Sequence, residues 1–91
     1  MKIYRVNEPV EERPDEELSL EDAQEIIGGW VEALALRHGL LALMDEEGII
    51  KQLPFNTEAT NEVDKLTAPQ ILNRLYGTII IIRQKDFGYD E

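Results

Sequence analysis

The chain of 91 residues has no cysteine, one histidine and only nine basic side chains. The absence of cysteine excludes disulfides and thiolate metal sites, and a single histidine leaves too few ligands for zinc. The apolar run Ile79 to Ile82 is far shorter than a membrane span, as is every other apolar run of the sequence. We therefore expect a cytoplasmic protein with no cofactor, no metal and no contact with a membrane.

Nineteen acidic side chains stand against these nine basic ones, for a net charge of −10. Residues 1–36 carry ten acidic and three basic side chains, so most of the excess lies in the N-terminal part. A surface of this sign repels phosphate backbones, which disfavours direct binding of nucleic acid.

Apolar spacing predicts a single α+β domain over residues 1–91, built on a small antiparallel sheet of four to five strands. The expected order is β-α-β-β-β-α-β, with the first helix packed on one face of the sheet and the helices mainly on that side. The predicted strands are residues 1–6, 30–36, 40–44, 49–53 and 78–83, and the predicted helices are 20–27, 57–66 and 67–75.

Local signals set several of these boundaries. Ser19 is a good N-cap for the first helix, and the pair Gly28-Gly29 is typical of a helix end followed by entry into a strand. Asp45 to Gly48 predicts a tight turn that leads into the third strand of a meander. Two segments remain outside the regular elements: an acidic flexible loop over residues 7–17 and a polar tail over 84–91.

The middle of the chain carries an ordered series of short motifs. They are Gly28-Gly29-Trp30-Val31-Glu32, Asp45-Glu46-Glu47-Gly48, Leu53-Pro54-Phe55-Asn56, Ala59-Thr60 and Tyr76-Gly77-Thr78. This order resembles a family of small proteins of unknown function from bacteriophages, plasmids and Gram-positive bacteria. The resemblance implies a mobile element and a host-cell cytoplasm, but no chemistry. The acidic segment before the first helix and residues 61–74 are longer than that pattern.

Four residues are candidates for binding a small nucleotide-like ligand: Trp30, Glu32, Arg37 and Asn56. Trp30 and Glu32 share a face of a predicted strand, where an aromatic ring beside a carboxylate suits a base or a cation. Alternatively, Trp30 packs beneath the first helix and Glu32 lies at a strand edge. Arg37 can bind an anion or pair with an acid, and Asn56 can contact a ligand or cap a helix.

No combination of residues indicates catalysis. His38 lies in a predicted turn without a serine or cysteine beside it, so a small hydrolase that uses Glu32 with His38 is the weakest hypothesis. The turn at Asp45 to Gly48 is too short to supply the six to eight oxygens that calcium needs. We expect a protein that is not an enzyme.

The acidic segment supplies the candidate surface for a protein partner, namely Glu11, Glu12, Asp15, Glu16 and Glu17. The leading hypothesis is a binding protein of a phage or mobile element that counters host defence by sequestering a nucleotide-like signal or a host protein. The alternative is an acidic, DNA-mimic-like regulator of a basic DNA-binding or restriction protein. A small sheet has two edges to cover, so we also expect a homo-oligomer.

Overall fold

The computed structural model describes residues 1–67 and 74–88. In chain order, its helices and strands are β1 (Lys2–Tyr4), β2 (Glu11–Glu12), β3 (Leu18–Ser19), α1 (Leu20–Ile27), β4 (Val31–Ala35), β5 (Leu40–Asp45), α2 (Thr57–Lys65), β6 (Ile79–Arg83) and β7 (Phe87–Gly88). The helix predicted over residues 67–75 falls mostly on residues that lie outside the described ranges.

Five of the strands form one antiparallel sheet in the order β2-β1-β6-β5-β4. β6 lies at its centre and pairs with β1 on one side and β5 on the other. Strands β3 and β7 form a separate parallel pair. The predicted α+β class and the antiparallel sheet of four to five strands are therefore confirmed.

The central strand β6 divides the apolar side chains between two cores, because successive side chains in a strand point to opposite faces. Ile80 and Ile82 pack in the core beneath α1, whereas Ile79 and Ile81 pack in the core beneath α2. The first helix packs on the sheet as predicted. The expectation that the helices lie mainly on one side is wrong, since both faces of β6 are apolar and each needs its own cover.

The ends of α1 follow the sequence signals. The Ser19 hydroxyl oxygen accepts a hydrogen bond from the backbone N–H of Asp22 at 3.1 Å. At the other end, Gly28 takes a left-handed conformation with φ +88° and donates its N–H to the carbonyl oxygen of Gln24. A residue with a Cβ adopts that conformation only at a cost, so glycine sets where the helix ends.

The predicted third strand of the meander, residues 49–53, is wrong. β5 pairs with β6 instead, and residues 46–52 form a series of tight turns that we call the 46–52 loop. In this loop the N–H of Lys51 donates to the carbonyl oxygen of Glu47 at 2.8 Å. β6 pairs with β5 because its four isoleucines can be buried on both faces of the sheet. The segment Ile49 to Leu53 is more polar and would bury less apolar surface in that position.

Two segments predicted to lack regular structure are attached to the domain. In the acidic segment, β2 pairs with β1, and the N–H of Arg13 donates to the carbonyl oxygen of Met1 at 2.9 Å. In the tail, β7 pairs with β3, and Phe87 is buried in the core beneath α1. The predicted tail thus includes a strand up to Gly88, and residues 89–91 lie outside the described ranges.

Candidate functional site

The most exposed large apolar side chains among the described residues lie at one end of the sheet, where β4 begins and β5 ends. Trp30 is 65% exposed, Ile49 is 75% exposed and Ile50 is 79% exposed. Trp30 immediately precedes β4, and its carbonyl oxygen accepts a hydrogen bond from the N–H of Glu46 in the 46–52 loop. We call these three residues the apolar end.

A buried carboxylate fixes the 46–52 loop. The side chain of Asp45 is 2% exposed, and its Oδ2 lies 2.8 Å from the Lys51 ammonium. Its Oδ1 accepts the backbone N–H of Glu47 at 2.8 Å. Burial alone would raise the pKa of Asp45, but the hydrogen bonds from Lys51 and Glu47 outweigh it and hold the pKa below its ordinary value.

Gly29 provides the space for this ion pair. A Cβ on Gly29 would lie 2.5 Å from the Lys51 Nζ and 2.7 Å from Asp45 Oδ2. Both distances are shorter than real Cβ contacts, so a side chain at position 29 would force the Lys51–Asp45 pair to shift. The sequence pattern predicted a helix end and a strand entry here, and the packing against Asp45 adds a reason that only the tertiary structure supplies.

Two shallow hollows flank the 46–52 loop. One is lined by Gln24, Gly29, Trp30, Glu47 and Lys51, and the other includes Glu32, Glu46, Ile49, Arg74 and Tyr76. Since Lys51 is paired with Asp45, the described residues that line the two hollows leave three carboxylates against one further cation. The apolar end is thus an exposed hydrophobic surface with an acidic rim.

The structure separates the four predicted ligand-binding residues. Trp30 and Glu32 are both exposed but line different hollows. Arg37 is exposed in the turn at the opposite end of β4, roughly 20 Å from Trp30 along the strand. The alternative in which Trp30 packs beneath α1 is wrong, because Gly28 and Gly29 carry the chain beyond the end of the helix. His38 lies in the same distant turn as Arg37, far along β4 from Glu32.

The fourth predicted residue, Asn56, is 2% exposed and uses its amide inside the protein. Its Nδ2 donates to the carbonyl oxygens of Tyr4 at 2.9 Å and Gly77 at 2.8 Å. Its Oδ1 accepts the N–H of Ala59 and caps α2. One side chain therefore joins β1, α2 and Gly77, which lies two residues before β6. Asn56 is the predicted helix cap and makes two long-range hydrogen bonds in addition.

Part of the acidic segment is engaged in ion pairs within the chain. Glu11 lies between Arg5 and Arg13, and hydrogen bonds from Arg13 and Arg5 lower its pKa. Asp15 lies 2.9 Å from the N-terminal ammonium, whose hydrogen bond lowers the pKa of Asp15. The remaining acids of the predicted partner surface, Glu12, Glu16 and Glu17, are exposed.

Sequence reasoning missed the exposure of Ile49 and Ile50, because it places them in the third strand of the meander. A usable signal is present: Lys51 follows Asp45 by six positions, which lets the opposite charges meet across a compact loop with the intervening isoleucines exposed. Within the described ranges, no cluster of three or more acidic or histidine side chains is arranged to hold a metal ion. No helix there has the length and apolar character to cross a membrane.

Comparison with known proteins gives one result for the whole chain. A family model described as a domain of unknown function, DUF3846, matches residues 1–90. No curated protein matches the chain, and no solved structure does.

Proposed function

The chain belongs to the DUF3846 family, and from that premise we propose that it is a non-enzymatic binding protein that captures a basic partner protein through its apolar end. The single observation that carries this proposal is the exposure of Trp30, Ile49 and Ile50 together at one end of the sheet. Each apolar side chain of this size that is buried on binding contributes roughly 1.5–3 kcal/mol of transfer free energy. Aromatic side chains carry much of the binding energy at many protein interfaces.

The rigidity of the 46–52 loop supports this role. The ion pair between Asp45 and Lys51 and the backbone hydrogen bonds of the loop hold Ile49 and Ile50 in place without a partner. A surface already in its binding conformation loses little conformational entropy when it docks.

The charge around the apolar end specifies the partner. Glu32, Glu46 and Glu47 surround the exposed apolar side chains, and the whole chain carries a net charge of −10. A complementary surface has an apolar centre and a rim of lysine or arginine. This chemistry fits the hypothesis of an acidic regulator of a basic DNA-binding or restriction protein.

The motif series in the sequence is the basis for the proposed biological source of the protein. The resemblance of the motif series favours a phage or other mobile element, whose product would act in the host cytoplasm against a defence protein. The exposed acids Glu12, Glu16 and Glu17 lie away from the apolar end and add to the long-range attraction for a basic partner.

Affinity capture from a bacterial lysate tests the proposal when the variants are run beside the natural chain. Proteins retained by the natural chain should be rich in lysine and arginine and should be lost by Ile50→Ser and Trp30→Ser. Asn61→Ser, an exposed change on α2, is the matched control and should retain them. Retention of the same proteins by all variants, or retention of only the chain itself, contradicts the proposal. The retained proteins should elute at high ionic strength, because salt screens their attraction to the acidic rim.

A further inference from the structure

A groove at the opposite end of the sheet differs in charge from the rest of the molecule. It has a volume of about 690 Å³ and is lined by His38, Gly39, Arg83, Gln84 and Lys85. The turn between β4 and β5 forms one wall, and the residues that follow β6 form the other. The volume falls within the range of small-molecule sites. We call it the basic groove.

Every side chain that lines the basic groove carries N–H donors. They are an imidazole, a guanidinium, an amide and an ammonium group, and no carboxylate is among the lining residues within 1–67 and 74–88. In a chain with nineteen acidic side chains, this composition is unexpected for an arbitrary patch of surface. N–H donors of a guanidinium and an ammonium group are the chemistry that recognises an anion.

Buried and paired acids hold Arg83 at the groove. Its Nε donates to Oδ2 of Asp86 at 2.6 Å, and its Nη1 lies 3.7 Å from Oδ2 of Asp15. The guanidinium has five N–H groups in a fixed fork, so these contacts leave others to face the groove. A side chain held in this way loses little rotamer freedom when it binds a ligand.

Acidic side chains next to the groove offset part of its positive charge. Asp86 is offset by Arg83, and Asp15 is offset by the N-terminal ammonium, which lies 2.9 Å away. Lys85 adds a further cation to the groove and also borders a hollow that is lined by Glu17 and Asp22. Arg37, which precedes His38 in the turn, adds a second positive charge nearby.

The backbone at His38 is a further indication of a site. His38 has φ +63°, in the left-handed region where a residue with a Cβ is disfavoured by roughly 1–2 kcal/mol. The following residue, Gly39, is also left-handed, with φ +70°. Glycine would fit at position 38 without strain, so the turn gives up stability to place an imidazole at the groove.

We propose that the basic groove binds a small molecule that carries a phosphate monoester, with Arg83, Lys85 and His38 as donors to the phosphate oxygens. A polyanion is a poorer ligand because the net charge of the chain repels an extended phosphate backbone. The groove is separate from the apolar end, so this proposal and the capture of a protein partner fail or succeed independently.

Titration of the full chain with adenosine 5′-monophosphate, followed by nitrogen–proton NMR spectra, tests the proposal. The amide signals of His38, Gly39, Gln84 and Lys85 should shift in a saturable way. Adenosine, which lacks the phosphate, should leave them unchanged. Saturable shifts confined to other residues, or no shifts with the monophosphate, overturn the proposal. Tighter binding of inorganic phosphate or of a single-stranded oligonucleotide also overturns the assignment to a phosphate monoester.

Lys85→Glu and His38→Gly, with Arg74→Glu as the control, distinguish contact with the phosphate from an effect of net charge and from an effect on folding. Lys85→Glu should weaken binding of the monophosphate about tenfold. Arg74→Glu makes the same change in net charge but lies beside Glu32 and Glu46 at the other end, so it should have little effect. His38→Gly should raise Tm by relieving the left-handed strain and still weaken binding. Equal weakening by Lys85→Glu and Arg74→Glu, or unchanged affinity in His38→Gly, contradicts the assigned donors.

Discussion

The ammonium group of Lys51 lies 2.8 Å from the buried carboxylate of Asp45, at the point where β5 ends and the 46–52 loop begins. This pair closes the loop that exposes Ile49 and Ile50. It also lies against Gly29, so the end of α1, the start of β4 and the loop all meet at one charged contact. The shape of the apolar end depends on it.

Asp45→Asn should destabilise the protein by about 1–3 kcal/mol, because the buried group loses its charge-assisted bond to Lys51. Urea unfolding measures the change, and hydrogen exchange should show faster opening at the amides of Lys51 and Leu53. Lys65→Met is the control, since Lys65 makes only an exposed contact of 3.7 Å with Glu62. Equal stability of Asp45→Asn and the natural chain would show that the pair does not hold the loop.

Gly29→Ala should be destabilising because the added Cβ occupies the space of the Lys51–Asp45 pair. The cost should shrink when Lys51→Met is already present, since the shorter apolar side chain can move away. A double-mutant cycle measured by urea unfolding gives the coupling between the two positions. Strictly additive effects would contradict the steric explanation.

Acid should destabilise the protein through three carboxylates. The pKa values of Asp45, Glu11 and Asp15 are all lowered in the folded state, so each favours folding while it is ionised. This stability is present above the pKa of the unfolded chain, near 4, and is lost as the pH falls through the lower folded values. The urea midpoint should change little from pH 7 to 5 and fall below about pH 4. A stability that rises on acidification would refute this assignment.

Asn56→Ala should cost about 2–4 kcal/mol, because it removes a helix cap and leaves two buried carbonyl oxygens without donors. Asn56→Asp keeps the acceptor for Ala59 but cannot donate, so its stability should lie closer to Asn56→Ala than to the natural chain. Asn61→Ala, an exposed change on the same helix, serves as the control. If Asn56→Asp is as stable as the natural chain, the two hydrogen bonds that Asn56 donates do not contribute to stability and only its helix cap does.

Homo-oligomers, expected from the sheet edges, should form through β4. This strand is five residues long and pairs only with β5 among the described strands. The hydrogen bonds that join Leu36 to Leu40 and Glu46 to Trp30 imply that the N–H of Ala35 points outward. Ala35→Pro removes that donor without breaking the ladder to β5, so it should reduce the mass in sedimentation to that of a monomer, whereas Ala35→Ser should not. A natural chain that sediments as a monomer contradicts this prediction.

Local sequence signals predicted the parts of the fold that local forces decide. Ser19 and Asn56 cap their helices as expected, since each contact spans only three residues. The alternation from Val31 to Leu36 assigned the faces of β4, with Val31 and Ala33 beneath α1 and Leu34 and Leu36 toward α2. The candidate site was not predictable in the same way, because Trp30, Arg37 and Asn56 fall at places that depend on the course of the whole chain.

The amino-acid sequence by itself determined the helix ends, the central apolar strand and the acidic surface, because caps, side-chain alternation and charge act over a few residues. The tertiary structure alone decided which strand pairs with β5, and that choice exposed Ile49 and Ile50 instead of burying them. It also gathered His38, Arg83 and Lys85 into one groove from positions more than forty residues apart. These features depend on which segment fills a given core position and on the register between strands that are distant in sequence. A short stretch of sequence does not determine either of them.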